Sequence, residues 1–425
     1  MFALYARAVN YCLFFLLHRI DQLHRIDQSH RNEHNASVRP HGMDVAVIGA
    51  SMTAFGEYDG WIQDLLAEAA LSCLNDTDVA ASQVEYLYVS NMASGEFEGR
   101  TGVMNALAHD IGALPAYAQR VGQTSASGGA GLLAAWQSVA SGASGATLLV
   151  GGEKMTHRDT AESADIIASL THPVEYKHGV TLPTFAGLAA RAYLNETEAT
   201  RESLAAVAVK NHANACRNPD AQFQKEITVE DVLESPTVAD PLRLYDYCPV
   251  TDGAAALLFC PVSRARELVD EFVTVAGVGG ATDTHVVHER PDPTWMGAVE
   301  TSGERAFSQA GWQSEDVDIA ELHDMVTLLE PLQLEALGFT DRGEGWRGAI
   351  EGRTQPDGEL PVNLSGGLKA RGHPLGATGI AQAVEIYRQL LGEAGERQVS
   401  AARGLTCNVG GFGNCVTTAL FEVGQ

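Results

Sequence analysis

From residue 43 onward, apolar and polar positions change rhythm repeatedly along the chain. The apolar run Val45-Ala46-Val47-Ile48 ends on Gly49, so 44–49 reads as a strand. Apolar residues at helical spacing predict an amphipathic helix over 61–74. Strands follow at 84–90 and 118–121, a helix at 128–141 and a buried strand at 146–151. Such alternation predicts an α/β fold in which parallel sheets are covered by helices. Between about residues 152 and 245 the rhythm gives way to mixed polar loops and helices, with helices at 185–195 and 201–215, before 251–259 returns to strand-like order.

The second half repeats the first in outline. Strands are expected at 272–277, 317–323 and 416–421, and helices at 295–310 and 325–337. In the first half an acidic turn with Asp76 and Asp78 joins a helix to the strand at 84–89, and Asp316 and Asp318 mark the same order near 308–323. This order predicts a duplicated chain with halves at 43–265 and 266–425, the irregular segment 152–245 belonging to the first. Residues 1–42 stand apart: Leu17-His18-Arg19-Ile20-Asp21-Gln22 is repeated at once as Leu23-His24-Arg25-Ile26-Asp27-Gln28, and five of the 14 histidines fall there. That leader is expected to be a disordered extension or a misassigned start ahead of Met43, or a histidine-rich metal-binding tail, although its histidines have no fixed ligand spacing.

Composition narrows the function classes. At 425 residues and 45% apolar the chain supports a large packed core. Its formal charge of −26, from 54 acidic and 28 basic residues of which five are lysine, repels nucleic acid and anionic membrane. Such a surface fits the cytosol of a salt-accumulating organism, where molar salt cuts the Debye length to about 3 Å. The seven cysteines, at 12, 73, 216, 248, 260, 407 and 415, form no CxxC pair and are odd in number, so neither a zinc site nor a disulfide framework is supported and a reduced, intracellular setting follows. The run 11–17 is too short to span a membrane and lacks the flanks of a signal peptide.

Candidate chemistry concentrates in Asn363-Leu364-Ser365-Gly366-Gly367-Leu368-Lys369-Ala370-Arg371-Gly372-His373-Pro374-Leu375-Gly376-Ala377-Thr378-Gly379. Its five glycines and one proline exclude a regular helix or central strand, so it is read as a shaped loop. Ile380, Ala383, Val384, Ile386, Tyr387, Leu390 and Leu391 then recur at helical spacing, which starts a helix near Thr378. His373 is thereby displayed near a helix N-terminus, where negative charge is favoured.

Asn-x-x-Gly-Gly followed by Gly-His-Pro-x-Gly-x-Thr-Gly resembles the histidine signature of the thiolase superfamily, which makes and breaks carbon–carbon bonds between acyl-CoA thioesters. The resemblance covers about residues 43–425 and is nearest to archaeal-type and sterol-carrier-protein-like members. It implies two related halves stacked as a five-layer αβαβα sandwich with the site where they meet, and 152–245 as the substrate-covering region. It also implies acyl-CoA acetyltransferase activity, Claisen condensation or its reversal by thiolysis, with coenzyme A thioesters as substrates and no bound cofactor or metal. The family's nucleophilic cysteine falls on Ser125 in Gln123-Thr124-Ser125-Ala126-Ser127-Gly128-Gly129. An alcohol is not ionised at neutral pH, so Ser125 needs a base, and His373 is the candidate. A chain that has lost the thiol and survives as a non-catalytic or channelling subunit is the alternative.

Glu321-Leu322-His323-Asp324-Met325 resembles the family's His-Asp-x-Phe variant, with Met325 and Val326 departing at the aromatic position. It makes His323 a partner of His373 in an oxyanion hole. Leu405-Thr406-Cys407-Asn408-Val409-Gly410-Gly411-Phe412-Gly413 matches Cys-x-Gly-Gly-Gly-x-Gly, with Val409 in place of the first glycine. The match implies Cys407 as the acid/base, and the Val409 N–H, with that of Ser125, as a second oxyanion hole; burial as an inert thiol is the other reading of Cys407. Gly366, Gly376, Val409 and Gly410 are the implied substrate-binding positions. The family pattern further implies a homodimer or tetramer and a small zinc-ribbon/OB-fold partner.

Overall fold

A computed structural model describes residues 43–169 and 171–424. The leader at 1–42, with its proposed disorder or misassigned start, lies outside them. Strand β1 (Val45–Met52) has both faces covered, which is why its sequence is apolar at consecutive positions rather than at alternate ones. The other strands of its sheet are β2 (Tyr86–Ser90), β3 (Tyr117–Val121), β4 (Thr147–Glu153), β5 (Gly253–Pro261), β6 (Val273–Thr282), β7 (Ile319–Glu321), β8 (Arg403–Gly410) and β9 (Cys415–Val423). Their order is β3-β2-β4-β5-β1-β6-β9-β8-β7.

The expectation of parallel sheets holds only in part. Among the described residues, β2–β3, β2–β4 and β7–β8 are parallel, and the remaining neighbours of this sheet are antiparallel. A parallel pair needs a covering crossover, and helices supply it between β2, β3 and β4; β8 returns directly as β9 through a short turn and must be antiparallel. Strands β1 and β6 meet through only two residue pairs, Ala46↔Thr274 and Val47↔Val273.

Five layers result. Helices α1 (Ile62–Asn75) and α2 (Val103–Asp110) cover one outer face, packing on Ala46, Ile48, Leu87 and Leu148. Helices α3 (Ser127–Ala140) and α8 (Thr378–Leu390) form the middle layer, with Leu132, Ala135, Ile380 and Val384 packed against Val45, Val47, Leu149 and Phe421. Helix α6 (Gly297–Ala310) covers the far side of β6 and β9. Elements α4 (Leu182–Glu196), α5 (Arg201–Ala215) and α7 (Leu329–Ala336) lie over the ends of the second-half strands.

The middle-layer helices begin in contact. A Cβ on Gly128 would lie 2.7 Å from Gly379 N, and one on Gly379 would lie 2.4 Å from Gly129 N. Only glycine permits so close an approach of two backbones. The turn before α3 and the loop before α8 are thus brought to one place. Among the described residues no helix is long and apolar enough to cross a membrane.

Candidate active site

Between β3 and α3 the chain makes a tight turn in which Thr124 takes a left-handed φ of 50°. Ser127 fixes it: its Oγ accepts from Gln123 N at 2.9 Å and donates to Thr124 O at 2.6 Å. Ser125 is held at the mouth of α3, buried, and its hydroxyl donates to Val409 O at 3.2 Å. Val409 thus holds the Ser125 hydroxyl through its carbonyl oxygen.

The loop carrying His373 is anchored by side chains from distant segments. Asn363 sits at φ 57°; its Oδ1 accepts from Leu322 N at 2.8 Å and its Nδ2 donates to Glu330 Oε2 at 3.1 Å. Glu330 also pairs with buried Lys210 at 2.7 Å. Contrary to the expectation of an entirely irregular loop, Gly367–Arg371 forms one π-helical turn. The Asp324 carboxylate explains it, accepting from Leu368 N at 2.6 Å, Lys369 N at 3.3 Å and Asn211 Nδ2 at 2.6 Å. Gly366, at φ 100°, lets the turn approach α5, where a Cβ would lie 2.6 Å from Ala215 Cβ.

At the end of this turn His373 N donates to Thr251 Oγ1 at 3.0 Å, and His373 Nδ1 lies 2.7 Å from Thr378 Oγ1. The Thr378 hydroxyl donates to Pro374 O at 2.9 Å, so it accepts from Nδ1–H and leaves His373 Nε2 with a free lone pair. His323, at the end of β7, is clamped by Gln333, which accepts from His323 N at 3.0 Å and donates to His323 O at 2.9 Å. The two imidazoles meet edge to face, centroids 5.0 Å apart. Asn408 Nδ2 reaches both His323 Nδ1, at 3.1 Å, and Ser125 O, at 3.5 Å. Ser125, His323 and His373 are thus gathered at one site.

Burial governs the electrostatics. His373 is pushed down to about 3, first by burial and then by the nearby Arg371 cation. His323 falls well below its ordinary value, again by burial first, then by His373 and Arg371. Both rings are neutral at physiological pH. Behind them Arg371 and Glu321 form a buried pair at 3.4 Å, and desolvation moves each toward its neutral form against their mutual attraction.

The structure corrects the expectation for Cys407. Side chains alternate along β8, and Cys407 faces α6, where its Sγ receives the Thr418 hydroxyl at 3.9 Å while Thr418 and Ser302 hydroxyls meet at 2.8 Å. Burial pushes this thiol up to about 12. Its neighbour Asn408 takes the position facing Ser125, and sequence reasoning passed over it; the period of two along β8 was the available signal. The structure accounts for Gly376 and Gly410 by close packing: a Cβ on Gly376 would lie 2.5 Å from Ser90 O, and one on Gly410 2.4 Å from Cys415 Sγ.

The profile of the thiolase N-terminal domain matches residues 45–263, and that of the thiolase C-terminal domain-like family matches 279–423. The acetyl-CoA acetyltransferase of Methanothermobacter thermautotrophicus is 43% identical over 382 residues, 89% of this chain and 99% of that protein. Sterol carrier protein 2 of Bos taurus is 30% identical, over 92% of this chain and 74% of its own length. Among solved structures, the Ltp2-ChsH2(DUF35) aldolase superposes with a TM-score of 0.79 at 25% identity, covering 91% of this chain and 99% of its own. Acetyl-CoA acetyltransferase from Syntrophomonas wolfei superposes with a TM-score of 0.68 at 19% identity, covering 90% of this chain and 99% of its own, and shares the fold.

Proposed function

Because the chain belongs to the thiolase family, we propose that it is an acyl-CoA acetyltransferase that joins acetyl-CoA to an acyl-CoA, or reverses that condensation, through an acyl group on Ser125. The observation that supports this reading is that Asn408 bridges the Ser125 main-chain carbonyl to His323, whose ring in turn meets that of His373.

In the first step the Ser125 oxygen attacks the thioester carbonyl carbon while His373 Nε2 takes its proton. The carbon–sulfur bond breaks, the proton passes to the departing CoA sulfur, and an ester remains on Ser125. In the second step an α-carbon of the acceptor thioester loses a proton, and the resulting carbanion attacks the ester carbonyl. Since Cys407 faces α6, His373 is assigned this proton too and returns it to the Ser125 oxygen as the ester bond breaks. His323 Nε2 is buried and without a partner among the described residues, and it supplies a hydrogen bond to the acyl oxygen. The scheme uses acyl-CoA substrates alone, in the cytoplasm, and needs no resident cofactor.

A non-catalytic or channelling subunit is the second reading, favoured by the Ser125 hydroxyl being bonded to Val409 O rather than to an imidazole. Incubation with acetyl-CoA followed by mass analysis of the peptide bearing Ser125 separates the two: an acetyl-sized increase supports the enzyme, and an unmodified peptide without CoA release removes it. The same assay with and without a small zinc-ribbon/OB-fold protein tests whether a partner is required, and light scattering tests the homodimer or tetramer.

A further inference from the structure

We propose that Asn408 is a positioning residue that holds His323 in the tautomer with its hydrogen on Nε2, aimed at the acyl oxygen. The inference deepens the acetyltransferase reading and rests on it for the identity of that acceptor.

The hydrogen-bond pattern leaves one assignment. Gly129 N–H can only donate, and it lies 2.9 Å from one terminal atom of the Asn408 amide, which must be the oxygen. The NH2 group then faces His323 Nδ1 at 3.1 Å and Ser125 O at 3.5 Å. An NH2 group only donates, so Nδ1 holds a lone pair and the hydrogen of the neutral ring is on Nε2. That nitrogen is buried in a residue with 0% exposure and has no acceptor among the described residues. A buried donor without a partner is destabilising, so the site is built for an acceptor brought by a ligand. An acyl thioester, or the ester on Ser125, brings a carbonyl oxygen.

One side chain therefore reads the first turn of α3 through Gly129 and sets the donor on His323. The same NH2 group holds the main-chain carbonyl of Ser125, which couples the spacing of nucleophile and donor. The low affinity of His323 for a second proton agrees with a neutral ring; the groups acting on it are His373 and Arg371.

Asn408→Asp tests this with almost no change of shape. One carboxylate oxygen still accepts from Gly129 N–H, but the other presents an acceptor to Nδ1, so the ring hydrogen moves to Nδ1 and Nε2 is left bare. With histidine labelled by nitrogen-15 in the full chain, and the His323 signals assigned by their loss in His323→Gln, the wild type is expected to show Nε2–H and Asn408→Asp to show Nδ1–H. The variant's kcat for acetoacetyl-CoA thiolysis is expected to fall about 10²- to 10³-fold with KM nearly unchanged. It should partly recover as pH drops and the ring of the variant takes a second proton, a recovery that loss of packing alone does not produce. Wild-type His323 found as Nδ1–H overturns the proposal and requires no variant to fold; so does Asn408→Asp with wild-type kcat. A wild type that binds acyl-CoA without turnover removes the acetyltransferase reading, while the tautomer measurement still decides the role of Asn408.

Discussion

Replacing Ser125 by alanine separates chemistry from folding. The structural loss is one hydroxyl and its 3.2 Å bond to Val409 O, a net of about 1 kcal/mol. For a chain of this size such a loss lowers Tm by about 1 °C. The chemical loss is the nucleophile. In serine enzymes its removal costs kcat on the order of 10⁶, with oxyanion donors and binding supplying what remains. A fall of at least about 10⁴ is expected here, equivalent to about 5 kcal/mol of barrier and well beyond the folding cost. The assay is the disappearance of the acetoacetyl-CoA enolate absorbance on adding CoA, in molar salt, with Tm measured in parallel. Ser125→Cys is the companion: an unperturbed thiol is about 3% ionised at pH 7, but one pushed up to about 12, as burial pushes Cys407, is ionised only to about 10⁻⁵. The cysteine variant therefore still depends on His373, and His373→Ala should abolish its turnover. Ser125→Ala retaining more than about a hundredth of wild-type kcat would refute the acyl-serine scheme.

Gly379→Ala places a methyl 2.4 Å from Gly129 N; the helices must part, so activity should fall at least tenfold with a loss of about 1–3 kcal/mol in denaturant unfolding, and unchanged values would show the contact to be slack. Lys210→Met leaves Glu330 buried without its cation and should cost about 3–5 kcal/mol, measured by urea titration; a shift under about 1 kcal/mol would show that the pair is not what holds Asn363. Stability should also follow pH in two regimes. His373, at about 3 folded against an unfolded value near 6.5, binds fewer protons folded than unfolded, so its contribution is whole above about pH 6.5 and is lost as pH falls toward 3. Glu153 and Asp324, raised by burial to about 7 and about 6, act oppositely, since their folded forms bind more protons between about pH 4.3 and those values. His212, lowered by burial to about 4, and His323, lowered by burial, add to His373, and Glu321, raised by burial to about 7, adds to Glu153 and Asp324, so three slopes oppose three from about pH 4.3 to 6 and below about 4 only histidine slopes remain; unfolding free energy measured against pH should be nearly flat and then drop, whereas a steady decline from pH 6 would contradict this balance.

Much of the fold and part of the site were legible in the sequence. Period and glycine punctuation placed α8 at Thr378 and α5 at 201–215, while the turn at Ser125 came from the family resemblance. Strand direction was not legible, because it depends on which connections cross a sheet face and which double back, as β8 does into β9. Nor was the inward face of α5. Lys210, Asn211 and Asn214 look like a solvated stripe, yet each is buried because its partners, Glu330, Asp324 and Asn363 O, arrive from more than a hundred residues downstream. Cys407 drew attention as a chemically potent side chain in a motif, while the face it occupies follows from the pairing of β8 with β9, which places it opposite Thr418. The π-helical turn likewise depends on one carboxylate from another strand.

The contact of Gly128 with Gly379 has a bearing on how this enzyme can diversify. Because two main chains touch there, the separation of the turn bearing Ser125 from the loop bearing His373 is fixed by peptide geometry rather than by rotamers. Under the proposed scheme, substitutions elsewhere around the site can then suit longer, shorter or branched substrates while Ser125 and His373 keep their spacing. New specificities are thereby open to gradual change at the periphery, and the machinery beneath need not be rebuilt each time.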